Sequence, residues 1–139
     1  MKYLLDNDVF LAAIYQGHEA HKVARKWLES HKAGGWGIAA ETYLAAMRLL
    51  MNPAVMGSGA LSAPDTIAAI EAELSGNHPG KIILADHKPY PSFLKKATSR
   101  RQTMDIWLVQ IARANRCKLA TRDGGTLAKC PTDTIAVAR

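Results

Sequence analysis

Short apolar runs and longer segments of helical spacing alternate along the chain. The runs fall at Lys2–Leu5, Trp36–Ala39, Lys81–Ala85, Lys118–Thr121 and Thr134–Val137. Their length and bounding turn signals predict buried strands. Between them, Val9–Tyr15 begins a helix. His18–His31 carries Ala20, Val23, Ala24, Trp27 and Leu28 on one face, and Gly34-Gly35 break it. Glu41–Met51 carries Leu44, Met47, Leu50 and Met51, and Asn52-Pro53 end it. Ser62 and Pro64 mark the next helix start, as cap and first-turn residue, and that helix runs through Ile67, Ile70 and Leu74 to Gly76. Tyr90–Thr98 predicts a weaker helix after Pro89 and Pro91. Thr103–Asn115 predicts a strong one, starting near Gln102 or Thr103. Gly124–Lys129 has room for one helical turn.

Strands alternating with helices predict an α/β fold with a mostly parallel sheet and right-handed crossovers. The Gly57-Ser58-Gly59 loop is too short to divide domains, and no repeat is visible, so a single domain over 1–139 is expected.

Four acidic residues lie at the ends of these segments. Asp6 follows Tyr3-Leu4-Leu5, Glu41 follows Trp36–Ala40, Asp105 opens the apolar stretch Ile106–Ala112, and Asp123 follows Leu119-Ala120-Thr121-Arg122. In an open α/β sheet, polar groups just past the carboxyl ends of strands converge on one crevice. Carboxylates gathered there repel one another unless a cation sits between them or some stay protonated. Hard cations such as Mg²⁺ take oxygen ligands and keep several waters. The pattern therefore points to a metal-dependent hydrolase. Each acid also has a structural role open to it. Asp6 suits a helix cap, although Asp8 has the better claim to that role. Glu41 and Asp105 suit the first turn of a helix, and Asp123 suits a turn. Their joint occurrence at strand ends and helix starts favours a site. Thr121 lies two residues before Asp123 and shares its side of an extended strand. There it can orient a carboxylate or a water.

Charge adds a substrate class. The chain of 139 residues has a net charge of +6, with a pI near 9.5. An acidic crevice within a positive surface suits a polyanion such as nucleic acid. Lys95, Lys96, Arg100 and Arg101 precede Asp105 and are placed to clamp phosphate. Arg100, Arg101 and Thr121 are the candidate substrate contacts. Lys22, Arg25, Lys26 and Lys32 read as a solvated or partner-facing surface.

Other classes recede. No run approaches the ~20 apolar residues of a membrane span. Asp6 and Asp8 interrupt the N-terminal apolar run before any signal-peptide core forms, so a cytoplasmic protein is expected. Cys117 and Cys130 match no C-x-x-C motif and read as free thiols. His18 and His21 lack a third nitrogen or sulfur ligand nearby, which argues against zinc. Trp27, Trp36 and Trp107 sit on apolar faces and read as core or dimer interface.

The segments Leu4-Leu5-Asp6-Asn7-Asp8-Val9, Asp105-Ile106-Trp107-Leu108-Val109-Gln110-Ile111-Ala112 and Leu119-Ala120-Thr121-Arg122-Asp123 resemble the three signature blocks of PIN-domain nucleases. The resemblance is closest to the VapC toxins of bacterial toxin–antitoxin pairs, and Ala45–Gly57 also resembles a stretch common in that group. The match spans nearly the whole chain in order and spacing. It implies a three-layer α/β/α sandwich, Mg²⁺ or Mn²⁺ at the acidic cluster, and endonucleolytic cleavage of RNA. It also implies a homodimer and neutralisation by a VapB-type antitoxin. Asp6, Asp105 and Asp123 fall on the family's acidic positions. The fourth departs from the pattern: the family's acid, five residues before the Arg matched by Arg48, is replaced by Tyr43. Glu41 lies two residues earlier, about 200° away on a regular helix. Near a helix start the backbone can differ enough to aim Glu41 inward, and it is retained as the fourth site residue.

Two rival readings follow from the same residues. Asp6-Asn7-Asp8 resembles the D-x-D of haloacid-dehalogenase-type phosphatases, with Asp6 as nucleophile, but Val9-Phe10 stand where Gly-Thr is usual. A non-catalytic RNA- or protein-binding module is the other, suggested by Tyr43.

Overall fold

The computed structural model describes residues 1–138. Five strands form one sheet: β1 (Tyr3–Leu5), β2 (Trp36–Ala39), β3 (Lys81–Ile83), β4 (Lys118–Thr121) and β5 (Thr134–Ala136). Their order is β3-β2-β1-β4-β5, and every pairing is parallel. Eight helices are present among the described residues: α1 (Asn7–Ile14), α2 (His21–His31), α3 (Ala40–Leu50), α4 (Pro53–Met56), α5 (Ala63–Leu74), α6 (Pro91–Leu94), α7 (Arg100–Ala114) and α8 (Gly124–Lys129).

Strand alternation sends neighbouring side chains to opposite faces of the sheet. Leu5, Ile38 and Ala120 face a core closed by α1, α2, α3 and α5, with Phe10, Leu28 and Ile70 inside it. Leu4, Ala39 and Leu119 face a second core closed by α7, with Ile106, Val109 and Ile111 inside it. Helices thus cover both faces, giving the three-layer α/β/α sandwich of the PIN type. Gly35 turns the chain into β2 at φ 91°, and a Cβ there would sit 2.8 Å from the Met1 backbone. Among the described residues, no helix is long and apolar enough to cross a membrane.

Several boundaries differ from the sequence reading. α7 starts at Arg100, so Asp105 lies more than a turn inside it rather than opening it. Arg100-Arg101-Gln102 carries no apolar periodicity, so the pattern was silent over that turn. Gln102 Oε1 accepts from the Thr98 N–H at 2.9 Å and fixes the entry. Around Pro89 and Pro91, β3 stops at Ile83 and α6 is a single turn, Pro91–Leu94. α4 was not anticipated, yet its signal is present: Asn52 accepts from the Ala54 N–H at 2.9 Å and Pro53 occupies the first helical position.

The sheet order places the site. β1 and β2 lie side by side, whereas β4 pairs with the other edge of β1. Connections leaving β1 and β4 therefore diverge and open a crevice past their carboxyl ends.

Candidate active site

Asp6 is the first residue beyond β1 and the cap of α1. Its Oδ1 accepts from the Val9 N–H at 2.7 Å. The expected division of labour is thereby reversed: Asp6 caps, and Asp8 sits in the first turn. Only Asp6 has the extended backbone that lets a side chain curl onto the exposed amides (φ −74°, ψ 172°). Asp6 is 3% exposed. Burial pushes its carboxyl up to about 7, and the charges of Asp8 and Asp105 add to the rise. Hydrogen bonds from the Thr121 hydroxyl and the Val9 amide pull the other way.

Asp105 projects from the second turn of α7 and is half-buried. Burial raises its pKa first, followed by the charges of Asp123 and Asp8. Asp123 stands past β4 and caps α8. Its Oδ2 accepts from the Thr126 N–H at 2.9 Å and from the Thr126 hydroxyl at 2.6 Å. Asp8 is held from two sides, by His18 Nε2 at 2.9 Å and by Arg122 Nη1 at 3.1 Å. Asp105 is thus within range of the charges of Asp123 and Asp8, and Asp6 within range of those of Asp8 and Asp105.

Thr121 is fully buried. Its hydroxyl accepts from the Asp123 N–H at 3.0 Å and hydrogen-bonds to the Asp6 carboxyl. Thr121 is thus tied to both Asp6 and Asp123, where it orients carboxylates.

Glu41 lies in the first turn of α3. Its Oε2 accepts from the Trp107 indole N–H, two residues beyond Asp105. Next to it, the Thr42 hydroxyl donates to Asn7 Oδ1 at 2.6 Å and ties α3 to the start of α1. Tyr43 turns away and donates to Glu71 Oε1 on α5 at 3.0 Å. Glu41 therefore approaches α7 at Trp107. The charges acting on Asp6 and Asp105 come from the other carboxylates.

Arg100 and Arg101 are both exposed at the start of α7. Lys95 and Lys96 are exposed just before it, with Lys96 Nζ 5.6 Å from the Phe93 ring centre. Trp27 and Trp36 are core residues, as expected. Trp107 is not wholly so: it packs on the second core but spends its N–H on Glu41. Sequence reasoning missed that pairing, and it missed Asn7, Thr126 and the clamp on Asp8. Only the adjacency of Asn7 and Asp8 to Asp6, and of Trp107 to Asp105, hinted at them.

The donor atoms are carboxylate oxygens, the preference of Mg²⁺ and Mn²⁺ rather than of zinc. Among the described residues, no three His, Cys, Asp or Glu side chains form a set that could hold a metal ion. What the residues offer is the chemistry of a hard cation, one that would bind through one or two carboxylates and retain waters. The raised pKa values of Asp6 and Asp105 come first from burial and only then from neighbouring carboxylates, the part a bound cation would relieve.

No family model matches the chain. Two curated proteins of Mycobacterium tuberculosis do align with it. Ribonuclease VapC29 is 27% identical over 132 residues, covering 90% of this chain and 88% of its own length. Ribonuclease VapC38 is 27% identical over 142 residues, covering 96% of this chain and 98% of its own length. The chain is VapC-like along nearly its whole length. This VapC-like sequence and the parallel α/β/α sandwich agree, since the resemblance to PIN-domain nucleases implied that architecture.

Proposed function

We propose that this chain is an endoribonuclease that hydrolyses RNA with a divalent cation and acts as the toxin of a VapBC-type pair. The observation that carries the reading is the burial of Asp6 and Asp105 near other carboxylates: the charges of Asp8 and Asp105 act on Asp6, and those of Asp123 and Asp8 act on Asp105. The likeness to two proteins named ribonucleases supplies the reaction class.

Asp6, Asp105 and Asp123 would hold Mg²⁺ or Mn²⁺, with Glu41 completing the acidic set. Such a cation, when bound, eases loss of a proton from water and offsets charge on the phosphodiester. The chain's own residues prepare that step. With its carboxyl pushed up to about 7, Asp6 would take a cation in competition with a proton near neutral pH. Thr121 and the Val9 amide fix the direction of its oxygens. Thr126 fixes Asp123, and Trp107 fixes Glu41. Arg100 and Arg101, exposed on the approach to Asp105, receive backbone phosphates. A cognate VapB-type antitoxin, a homodimer and a cytoplasmic setting belong to the same reading.

The test is incubation of total bacterial RNA with purified, antitoxin-free protein in Mg²⁺ or Mn²⁺, in EDTA, and with Asp105→Asn. Discrete cuts that vanish in EDTA and with the variant are expected. Cleavage by Asp105→Asn at the wild-type rate would overturn the site. The Tyr43 substitution favours one other reading, an RNA-binding module without turnover. RNA affinity with no cut in either metal would select it.

A further inference from the structure

A groove runs along α2 where that helix meets the end of β5, the edge strand of the sheet. Its first part, about 710 Å³, has walls that include Glu19, Val23, Arg122, Leu127, Val137 and Ala138. Its second part, about 410 Å³, has walls that include Lys22, Val23, Lys26, Trp27, His31 and Ala138. Val23 and Ala138 line both parts, so the two are continuous. One end reaches the acidic residues. Arg122 lines the groove and also holds Asp8 Oδ2 at 3.1 Å, and the charge of Asp8 acts on Asp6 and Asp105. Charge on α2 is sorted by face. Arg25 pairs with Glu29 and Glu73, and Lys32 with Glu29, and none of these four residues lines the groove. Lys22 and Lys26 do line it, and both are exposed. Among the described residues, no carboxylate lies within ion-pairing distance of either. Like charges four residues apart on a helix repel each other, and nothing among the described residues relieves this pair.

A row of cations in a groove that opens from the catalytic end of the sheet suits a polyanionic strand. Lys22 and Lys26 stand one helical turn apart, ~5–6 Å between their Cβ atoms, on the scale of neighbouring phosphates along one strand. We infer that a single strand of RNA leaves the acidic site past Arg122 and lies along the α2 groove, with Lys22 and Lys26 on its phosphates. This deepens the ribonuclease reading and rests on it: the groove is a holding track for substrate beyond the cut. Contacts of this kind are made to the backbone, so they add affinity and direction without reading bases. The segregation of charge on α2 has its physical reason here, since the face toward α5 spends its cation on Glu73 and the face toward the groove keeps its cations for an external anion.

The test measures binding of a fluorescein-labelled, twenty-nucleotide single-stranded RNA in EDTA over a series of salt concentrations. Wild type is compared with Lys22→Glu/Lys26→Glu. A second double variant, Lys81→Glu/Lys88→Glu, makes the same change of net charge at exposed positions on and beyond β3, the opposite edge of the sheet. Melting curves establish that each variant is folded. Lys22→Glu/Lys26→Glu should weaken RNA binding at least about tenfold at low salt and flatten the salt dependence by about 1.4, the share of two single-strand phosphate contacts. Lys81→Glu/Lys88→Glu should lose much less. Equal losses in the two variants would make the effect one of net charge and overturn the inference, as would unchanged binding in Lys22→Glu/Lys26→Glu. A labelled peptide of ten glutamates is titrated alongside. Peptide binding that depends on Lys22 and Lys26 while RNA binding does not would give the groove to an acidic protein segment and also overturn it. Cleavage of total bacterial RNA by wild type in Mn²⁺ is measured in parallel. Cleavage with RNA affinity unmoved in Lys22→Glu/Lys26→Glu leaves the ribonuclease reading standing and removes the track. Affinity lost in that variant without wild-type cleavage keeps the RNA groove and removes the ribonuclease reading.

Discussion

The Trp107 indole donates its N–H to the Glu41 carboxylate, joining α7 to α3 across 66 positions of sequence. The bond places Glu41 beside the helix that carries Asp105, while Tyr43, two residues on, bonds to Glu71. Trp107→Phe keeps the ring and removes the donor. A hydrogen bond to a charged group contributes roughly 1.5–3 kcal/mol, and partial exposure of Glu41 puts this one near the lower end. A fall in melting temperature of about 5–8 °C is expected, and RNA cleavage should fall with it. An unchanged melting curve would show that Glu41 finds another donor.

Asp6 sets a pH dependence. Its carboxyl is raised from the ordinary 3.8 to about 7 in the fold, so the folded state binds the proton more tightly. That stability is fully present below about pH 4 and is lost as pH rises through about 7. Asp105 is shifted in the same direction. Thermal melts in EDTA should therefore decline between pH 5 and 8. Asp6→Asn keeps an acceptor for the Val9 amide and removes the ionisation, so its profile should be much flatter and lie above wild type at pH 8. Mn²⁺ should raise the wild-type midpoint at pH 8 and leave Asp6→Asn nearly unmoved. A wild-type curve flat from pH 5 to 8 would remove the argument.

Asp105→Asn separates charge from fold. Cleavage should fall on the order of a hundredfold or more, the scale of losing one electrostatic group at a reacting centre. Its melting temperature in EDTA should hold or rise, because one of the mutually repelling carboxylates is gone. A variant that loses activity by unfolding would show instead as a lost thermal transition.

Thr121 offers a test of orientation. Thr121→Val is close in shape but deprives the Asp6 carboxyl of a donor and the Asp123 amide of its acceptor. A cost of about 1–3 kcal/mol is expected. The Asp6 pKa should climb further, because the Thr121 hydrogen bond holds it down. The midpoint of the pH-dependent melting profile should therefore move upward. A lower stability with an unmoved midpoint would make Thr121 a packing residue only.

The two thiols report on packing. Cys117 and Cys130 are buried and free, and burial pushes the Cys117 thiol up to about 11. Cys130 is shifted the same way. Thiolates are the reactive form, so a disulfide-exchange reagent should react slowly with the native protein and reveal both thiols only after denaturation. Fast labelling of either in the native state would contradict the packing around α7 and β4.

The sequence by itself determined the five parallel-sheet strands, most helices, and the placement of Asp6 and Asp123 just past β1 and β4. Those features rest on signals a few residues long: apolar runs, helical spacing, and the Ser62-x-Pro64 start. It also marked Asp105, through the apolar pattern that follows it, although the polar first turn of α7 concealed where that helix begins. Tertiary structure decided the rest. Backbone conformation at the end of β1 gave the cap to Asp6 rather than Asp8, and chain crossing from β4 then clamped Asp8 with Arg122. Complete burial between β4 and β1 set Thr121 against the Asp6 carboxyl. Glu41 acquired its partner only because the fold brings the start of α3 against Trp107 of α7. Hydrogen bonds and burial between distant segments depend on how helices pack across the sheet, and local pattern does not encode that packing.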